Sequence, residues 1–425
     1  MPFPPPQTER LHSCDIERID TAIGIAPDGR AVGSFKHLTL TSAFQPILSL
    51  AHRRPVGYEG LLRAFDPDGK AVPPLDVFRL AENDGETTFL DRLCRAVHLH
   101  NFLTLPEGDS WIFMNLTPKV VVDGRQYGSF FAELLKRHRF PAHRIVVEIV
   151  EEAIHDEALL AEAVDYYKDL GCLVAIDDFG AGHSNFERIW RIAPHIVKLD
   201  RSISVQAAAG NRVRRVLPNL VNLIHEAGSL ALMEGIETER EALIAMDADI
   251  DFVQGYYFAR PAGDGIGADA CIPLFGGLCD KFKYFVTDEA KDYRQRLTPY
   301  LSGFRQAMGL LESGLEVDEA CAKFLRQPRT QCCYLLDAEG QQIGDNLDSL
   351  HSTTHFDLRF TPLSNAQGAN WGRRQYFRQA MNQPGQIQVS NPYLSIATSK
   401  MCVTLSVSVT SGTEMRVLCC DLDWS

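Results

Sequence analysis

The sequence lacks an apolar run long enough to cross a membrane, which needs about 20 consecutive apolar residues. The longest mainly apolar stretch, 213–233, is interrupted by charged and polar residues: Arg214, Arg215, Asn219, His225 and Glu226. The first residues are polar and rich in proline, without the apolar core of a signal peptide. We therefore predict a cytoplasmic protein without a membrane span.

Positive charge is also scarce. The chain has 42 lysines and arginines against 55 aspartates and glutamates, a formal net charge of −13. Nucleic acids are bound mainly through basic surfaces that neutralise phosphates, so neither DNA nor RNA is an expected partner. An acidic protein can still bind phosphate groups where metal ions or a few arginines reverse the local field. Its 425 residues are enough for two domains.

The eleven cysteines lack the spacing of a zinc or disulfide site. They contain no CxxC pair, and Cys332-Cys333 and Cys419-Cys420 are adjacent. Neighbouring residues of a strand point to opposite faces of the sheet. We therefore interpret the cysteines as reduced and mostly buried thiols.

Short apolar runs alternate with amphipathic helical patterns over about 250 residues. The strand-like runs are 56–62, 111–115, 145–149, 173–177, 196–199, 230–234 and 252–254. This alternation predicts a parallel sheet covered by helices, and its length favours an α/β fold, a closed (β/α)₈ TIM-like barrel. We divide the chain into an N-terminal extension (1–34), the barrel (35–280), a helical linker (281–325) and a smaller α+β domain (326–425).

The predicted strands end on polar residues: Glu59, Asn115, Glu148, Asp177, Lys198, Glu234 and Gln254. Strand ends of a parallel barrel converge on one face, where active sites are built. Carboxylates gathered there repel one another by several kcal/mol at about 4 Å, so the cluster must take up protons or cations. Oxygen ligands favour Mg²⁺ or Mn²⁺ over zinc. The adjacent Asp177 and Asp178 suit two ions, and Lys198 suits the attacking water of a phosphate ester hydrolase.

Eight ordered segments resemble the motifs of the EAL phosphodiesterase family. They are 44–47, 58–63, 115–118, 147–151, 176–182, 197–200, 234–238 and 254–258. The resemblance covers about 44–261 and implies hydrolysis of cyclic di-GMP to linear pGpG. Gly60 replaces the alanine of the name-giving triplet, but no metal ligand of the family pattern is missing.

The resemblance implies metal and catalytic roles for named residues. Two divalent ions would be held by Glu59, Asn115, Glu148, Asp177, Asp178 and Glu234, with Asp177 between them. Lys198 would contact the nucleophilic water, and Glu151 would brace the loop after Asp178. Glu237 would support the ligands, or alternatively only cap the next helix.

The resemblance also implies contacts with the dinucleotide. Gln45, Leu61, Arg63 and Gln254 would bind it, Arg63 through a phosphate, and Asp200 is a further pocket candidate. Ordinary alternatives remain open for Arg63, as a salt bridge at the barrel edge, and for Gln254, as a hydrogen bond at a strand end.

The C-terminal module resembles a PAS/Cache-like sensor domain in the segments 370–377, 389–393 and 420–424. Such domains bind small molecules or mediate dimers. Its candidate pocket residues are Arg374, Tyr376, Tyr393 and Asp421. The alternative is a packing module without a ligand. A homodimer is expected by analogy with the family.

Three functions compete at this stage. The first is a phosphodiesterase for cyclic di-GMP, regulated by the sensor module. The second is a cyclic di-GMP receptor that binds without hydrolysis and signals through the C-terminal module or a protein partner. The third, a metal-dependent phosphoesterase for another nucleotide, follows from the carboxylates alone, and Gln45, Arg63 and Gln254 weigh against it.

Overall fold

The computed structural model describes residues 16–105, 108–117, 130–150, 157–182, 186–350, 366–395, 400–411 and 414–424. The chain forms two compact units, Met1–Val286 and Thr287–Ser425. No helix within these described ranges has both the length and the apolar character required to cross a bilayer. The cysteines of these ranges are free, and all except Cys279 are buried.

The strands of the first unit are β1 (Ile23–Ile25), β2 (Ala31–Phe35), β3 (Leu38–Ser49), β4 (Arg54–Phe65), β5 (Ala71–Val72), β6 (Trp111–Leu116), β7 (Ile145–Val150), β8 (Leu173–Phe179), β9 (Ile196–Leu199), β10 (Leu230–Met233) and β11 (Phe252–Val253). Its helices are α1 (Pro74–Arg79), α2 (Asp84–Phe102), α3 (Phe130–His138), α4 (Glu157–Asp169), α5 (Phe186–Ile192), α6 (Arg201–Ala209), α7 (Asn211–Glu226) and α8 (Glu239–Asp247).

Eight of these strands close into a barrel, which confirms the predicted fold. Strands β4, β6, β7, β8, β9, β10 and β11 follow one another in parallel. Strand β3 closes the barrel antiparallel to both β4 and β11. Strand β3 was not among the strands predicted from the sequence. Only residues 50–53 connect it to β4, and so short a connection permits antiparallel pairing alone.

The barrel strands have apolar side chains on both faces, one packed against the helices and the other filling the barrel interior. The interior is filled by the buried side chains of Ile47, Phe113, Val146, Ala175, Ile196, Leu232 and Phe252. Because this layer excludes water below the carboxyl ends of the strands, polar residues at those ends can face only the mouth of the barrel. The predicted strand-end residues therefore meet at one rim.

The second unit is built on an antiparallel sheet, as expected for an α+β module. Its strands are β12 (Thr330–Leu336), β13 (Gln342–Asp348), β14 (Gln388–Val389), β15 (Tyr393–Leu394), β16 (Met401–Ser411) and β17 (Glu414–Asp423). They pair in the order β13-β12-β17-β16-β14, with β15 also on β16. The helices are α10 (Val317–Cys321) and α11 (Gln375–Asn382).

A 45-residue helix, α9 (Ala268–Glu312), begins in the first unit and ends in the second. It starts before residue 281, where the sequence placed the start of the linker. The predicted domain boundaries and the sensor character of the C-terminal module stay predictions.

Candidate functional site

A cavity of about 370 Å³ opens at the carboxyl ends of the barrel strands. It is lined by Gln45, Glu59, Asp177, Asp178, Lys198, Arg201, Glu234, Gly235, Glu237, Gln254, Gly255 and Tyr256. Eight of the residues predicted for the site are among them. These residues come from several strands that are distant in the sequence, and closure of the barrel brings them together.

Lys198 lies at the centre of the cluster and is 1% exposed. Its Nζ atom is 2.5 Å from Glu148 Oε1, 2.6 Å from Glu234 Oε1 and 3.0 Å from Asp177 Oδ1. Burial by itself would lower the pKa of Lys198, but the surrounding carboxylates outweigh it and raise that pKa well above its usual value. Lys198 is therefore a buried cation that three acids share.

Glu148 has a buried carboxylate that Lys198 compensates only in part. Its side chain is fully buried on β7, and burial raises its pKa well above the usual value, although Lys198 partly opposes this. Its second oxygen, Oε2, has no hydrogen-bond partner among the described residues. A buried carboxylate oxygen without a partner is costly, and a cation ligated there would satisfy it.

Amide side chains hold Glu59 in place. Asn115 Nδ2 donates to Glu59 Oε1 at 2.8 Å, and Gln254 Nε2 donates to Glu59 Oε2 at 2.6 Å. Gln254 Nε2 also lies 3.1 Å from Gln45 Oε1, and Gln45 Nε2 donates to the carbonyl of Ala259. The strand-end hydrogen bond considered for Gln254 is therefore present, and it orients a predicted metal ligand.

Asp177, Asp178 and Glu234 offer carboxylate oxygens that all lie within 4.8 Å of one another. Asp178 has a positive φ of 56°, and its backbone N–H donates to Asp177 Oδ1 at 3.0 Å. Burial and then repulsion from Asp177 raise the pKa of Asp178, and burial raises the pKa of Glu234 to about 8. Three crowded carboxylates repel one another in the absence of a cation. A divalent cation, which prefers oxygen ligands, would remove this repulsion.

The other residues predicted for the site do not line the cavity or lie outside the described residues. Leu61 and Arg63 follow Glu59 on β4, are half-buried, and do not line the cavity; Arg63 Nη1 donates to the carbonyl of Leu62 at 2.9 Å. Asp200 is the N-cap of α6 and accepts from the Ser202 N–H at 2.9 Å. Glu151 lies outside the described residues.

Glu237 does not cap the following helix. Thr238 caps α8, and Glu241 completes the capping box by accepting from the N–H groups of Glu237 and Thr238. The Glu237 carboxylate instead pairs with Arg201, with 2.7 Å between Oε2 and Nη2. Arg201 lines the cavity and was missed by the sequence analysis, because an arginine that begins a helix is common on protein surfaces.

A buried anchor that was not predicted from the sequence lies behind Asn115. Asp91 on α2 accepts from the Thr117 N–H at 3.0 Å and from the Thr117 hydroxyl at 2.8 Å, and it pairs with Arg95. Asp91 and Arg95 are each 3% exposed. The available signal was the spacing of Asp91 and Arg95, which are four positions apart and can pair on a helix. This contact fixes the end of β6, two residues beyond Asn115.

Comparisons with known proteins agree with this geometry. The protein YkuI of Bacillus subtilis, an uncharacterised EAL-domain protein, is 25% identical over 378 residues, which are 85% of this chain and 90% of YkuI. PdeN of Escherichia coli, named a probable cyclic di-GMP phosphodiesterase, is 27% identical over 252 residues, 56% of this chain and 47% of PdeN. This chain thus spans most of YkuI but less than half of PdeN.

A solved structure of YkuI, in complex with cyclic di-GMP and calcium, superposes with a TM-score of 0.77 at 23% identity. The match covers 91% of this chain and 96% of that one, so the fold is shared across both units. Residues 30–261 match the family model described as "EAL domain". With this match over more than half of its length, the chain belongs to the EAL domain family.

Proposed function

We propose that this protein hydrolyses cyclic di-GMP to linear pGpG at the mouth of its barrel. The observation that carries the proposal is the contact of the single buried ammonium of Lys198 with Glu148, Asp177 and Glu234 beside the cavity. Family membership supports the choice of substrate, since PdeN is named a probable cyclic di-GMP phosphodiesterase and YkuI was solved with that dinucleotide.

Divalent cations, two Mg²⁺ or Mn²⁺ ions in this proposal, would be held by the six ligands named from the sequence. When bound, they supply a water of lowered pKa and neutralise charge on the phosphate. The unpartnered Glu148 oxygen and the three crowded oxygens of Asp177, Asp178 and Glu234 support such binding. Glu59 is oriented for it by the amides of Asn115 and Gln254.

Residues of the chain itself would bind the substrate and assist the attack of the water. Lys198 would donate a hydrogen bond to the attacking water and offset the negative charge that develops on the phosphate. Gln45 and Gln254 line the cavity and would contact the dinucleotide, with Leu61 and Arg63 along β4. Glu151 would brace the loop after Asp178, Glu237 would hold Arg201, and Asp200 remains a pocket candidate.

The test is chromatography of cyclic di-GMP incubated with the full chain and Mg²⁺ or Mn²⁺. Stoichiometric conversion to pGpG is expected. A fully metallated preparation that yields no pGpG would exclude the phosphodiesterase. If calorimetry then showed tight binding of cyclic di-GMP, the second function, a receptor without turnover, would replace it.

The broader proposal includes a homodimer, a cytoplasmic location and a PAS/Cache-like sensor in the C-terminal unit. Light scattering during size-exclusion chromatography would measure the mass of the particle. A mass of one 47.4 kDa chain at micromolar concentration would remove the dimer from the proposal.

A further inference from the structure

Gly60 of β4 stands between the predicted metal ligand Glu59 and the predicted substrate contact Leu61, where the name-giving triplet of the family has alanine. Neighbouring residues of a strand face opposite sides, so Gly60 faces away from the Glu59 side chain, toward helix α2. A methyl group added at Gly60 would lie 3.1 Å from Cγ of His98 and 3.3 Å from its Cβ and Cδ2 atoms. Contacts this short are relieved only by a shift of a few tenths of an ångström. The His98 ring and the missing methyl group therefore compete for the same space.

A chain of buried hydrogen bonds holds the His98 ring against Gly60. Its Nδ1 atom lies 2.8 Å from the hydroxyl of Ser42 on β3, and Asn101 of α2 donates to that hydroxyl at 3.2 Å. Asn101 also accepts from the N–H of Ala31 at 2.7 Å and donates to its carbonyl at 3.0 Å. His98, Ser42 and Asn101 are at most 5% exposed. The ring cannot turn aside without breaking a hydrogen bond away from water, which is costly.

The same contacts determine the protonation of the His98 ring. The Ser42 hydroxyl accepts from Asn101, which leaves its own proton to be donated to His98 Nδ1. The ring is then the neutral tautomer with its proton on Nε2. Burial, and then the positive charge of Arg63, lowers the pKa of His98 to about 4, which agrees with a neutral ring near pH 7. His98 is therefore an uncharged spacer between α2 and β4 and does not titrate near neutral pH.

Helix α2 is itself held close to the sheet at a second glycine. A methyl group added at Gly33 of β2 would lie 3.1 Å from Leu93 Cγ and 3.2 Å from Val97 Cγ2. Leu93 and Val97 are at most 1% exposed. An outward shift of α2 would open these close contacts and lose packing energy. A methyl group at Gly60 is therefore expected to displace β4 and not the helix.

The position of β4 matters because it carries Glu59. The two carboxylate oxygens of Glu59 are oriented by the amides of Asn115 and Gln254, at 2.8 Å and 2.6 Å. Distances between a metal ion and its ligands are matched to within about 0.2 Å. A displacement of β4 by a few tenths of an ångström is therefore large enough to weaken a metal ion bound by Glu59.

We propose that His98 is a positioning residue for the metal site and is matched to Gly60. Its ring sets the distance between α2 and β4 and thereby the place at which Glu59 presents its carboxylate. Glycine at position 60 and histidine at position 98 act as one unit, so alanine at position 60 requires a smaller side chain at position 98. The inference rests on the proposed metal site and names the residues behind one of its ligands.

The test is a double-mutant cycle in which calorimetry measures the binding of Mn²⁺ to the full chain without cyclic di-GMP. Gly60→Ala is expected to raise the Kd for Mn²⁺ at least about tenfold. In the background of His98→Ala the same change should alter Kd by less than about threefold, because the methyl group enters vacated space. His98→Asn, which keeps an acceptor for Ser42 in a smaller side chain, is a second background with the same expectation. Gly24→Ala on β1, where the methyl group would meet only Val32 at 3.8 Å, is the control and should bind as the wild type does.

The outcomes separate this proposal from the proposed function. Equal loss of affinity from Gly60→Ala in all backgrounds, or no loss in the wild-type background, would refute the matched pair. A wild-type chain that binds no Mn²⁺ would refute the metal site and this proposal with it. The expected binding pattern without any pGpG production would leave the pair standing and refute only the phosphodiesterase.

Turnover distinguishes positioning from general damage to the fold. With saturating Mn²⁺, kcat of Gly60→Ala should return to within about threefold of the wild-type value, because the groups that act on the phosphate are unchanged. A loss of kcat that saturating Mn²⁺ does not restore would contradict a role confined to the placement of Glu59.

Discussion

Glu148 in the barrel and Asp421 in the C-terminal sheet are both buried carboxylates, but their neighbours differ. Glu148 shares the ammonium of Lys198 with Asp177 and Glu234, so negative charge is in excess at the barrel mouth. Asp421 accepts a hydrogen bond from the Thr404 hydroxyl and forms no ion pair with a lysine or arginine of the described residues. An excess of negative charge favours added cations, whereas the pKa of a single buried carboxylate among hydroxyl groups is raised by burial.

The largest effect is expected when the charge pattern of the barrel is broken. Asp177→Asn and Lys198→Ala should each lower kcat at least about 10³-fold, because each removes a group that acts on the reacting phosphate or its water. Production of pGpG measures this. Asp165→Asn, an exposed acid on α4, is the control and should keep wild-type turnover. Turnover within tenfold of wild type in either site variant would contradict the assignment.

Removal of metal should affect the barrel alone. Chelation is expected to abolish turnover, and Mg²⁺ or Mn²⁺ at 100 times its Kd should stabilise the protein by about 2.7 kcal/mol. Calorimetric unfolding with and without metal measures this gain. The gain should persist in Asp421→Asn and disappear in Asp178→Asn combined with Glu234→Gln. Equal stabilisation of all three proteins would place the metal elsewhere.

The pH dependence of unfolding tests whether the Asp421 carboxylate is desolvated in the folded protein. The pKa of Asp421 is about 6 when folded against an ordinary 3.8, so between these values the folded state keeps a proton that the unfolded state has lost. Stability should therefore fall as pH rises from about 4 to about 6, by up to about 3 kcal/mol, and stay level above that range.

Denaturant unfolding of the wild type and Asp421→Asn at pH 4, 5, 6 and 7 measures this contribution. The difference between the two proteins should grow up to pH 6 and then remain constant, since the asparagine does not ionise. A difference that is the same at all four values would show that the carboxylate is not desolvated.

The anchor behind Asn115 should tune metal affinity without removing activity. Thr117→Val loses the hydroxyl that binds Asp91, and a change behind a ligand typically weakens metal binding about 10- to 100-fold. Turnover as a function of Mn²⁺ concentration measures this shift. Thr117→Ser keeps the hydroxyl and should keep the wild-type metal dependence; if the two variants behave alike, Asp91 does not position Asn115.

The smallest effect is expected at Glu237. Its ion pair with Arg201 is substantially exposed, and such pairs contribute at most about 1 kcal/mol. Glu237→Gln should therefore change KM for cyclic di-GMP by no more than about fivefold, with kcat unchanged. Steady-state kinetics measures both constants, and a large fall in kcat would instead place Glu237 in the chemical step.

Much of the site could be predicted because its pattern is local in the sequence. Polar residues such as Glu148 and Asp177 end apolar strands, and parallel strand ends must meet at one rim of a barrel. Arg201 and Asp91 were missed because an isolated charge in a helix gives no sign of where its side chain lies. The contact of Asp91 with Thr117 joins residues 26 positions apart, and only the packing of α2 against β6 brings them together.

The antiparallel strand β3 shows the same limit for the fold. Its residues include Thr39, Ser42 and Gln45 among apolar ones. Gln45 lines the cavity, whereas Ser42 is buried against His98 and Asn101 of α2. Sequence patterning alone therefore did not separate it from a loop. The short connection 50–53 makes β3 antiparallel to β4, and the register of the two strands places Gln45 opposite Glu59.

The amino-acid sequence by itself determined the barrel, the α+β module that follows it and the acidic identity of the site, because hydrophobic periodicity and strand-end residues are properties of short segments. The tertiary structure alone decided which acids share Lys198, that Glu237 pairs with Arg201 instead of capping α8, and that Asp421 lies opposite Thr404. These are pairings between distant segments, and a buried charge acquires its neighbours only when strands and helices close around it.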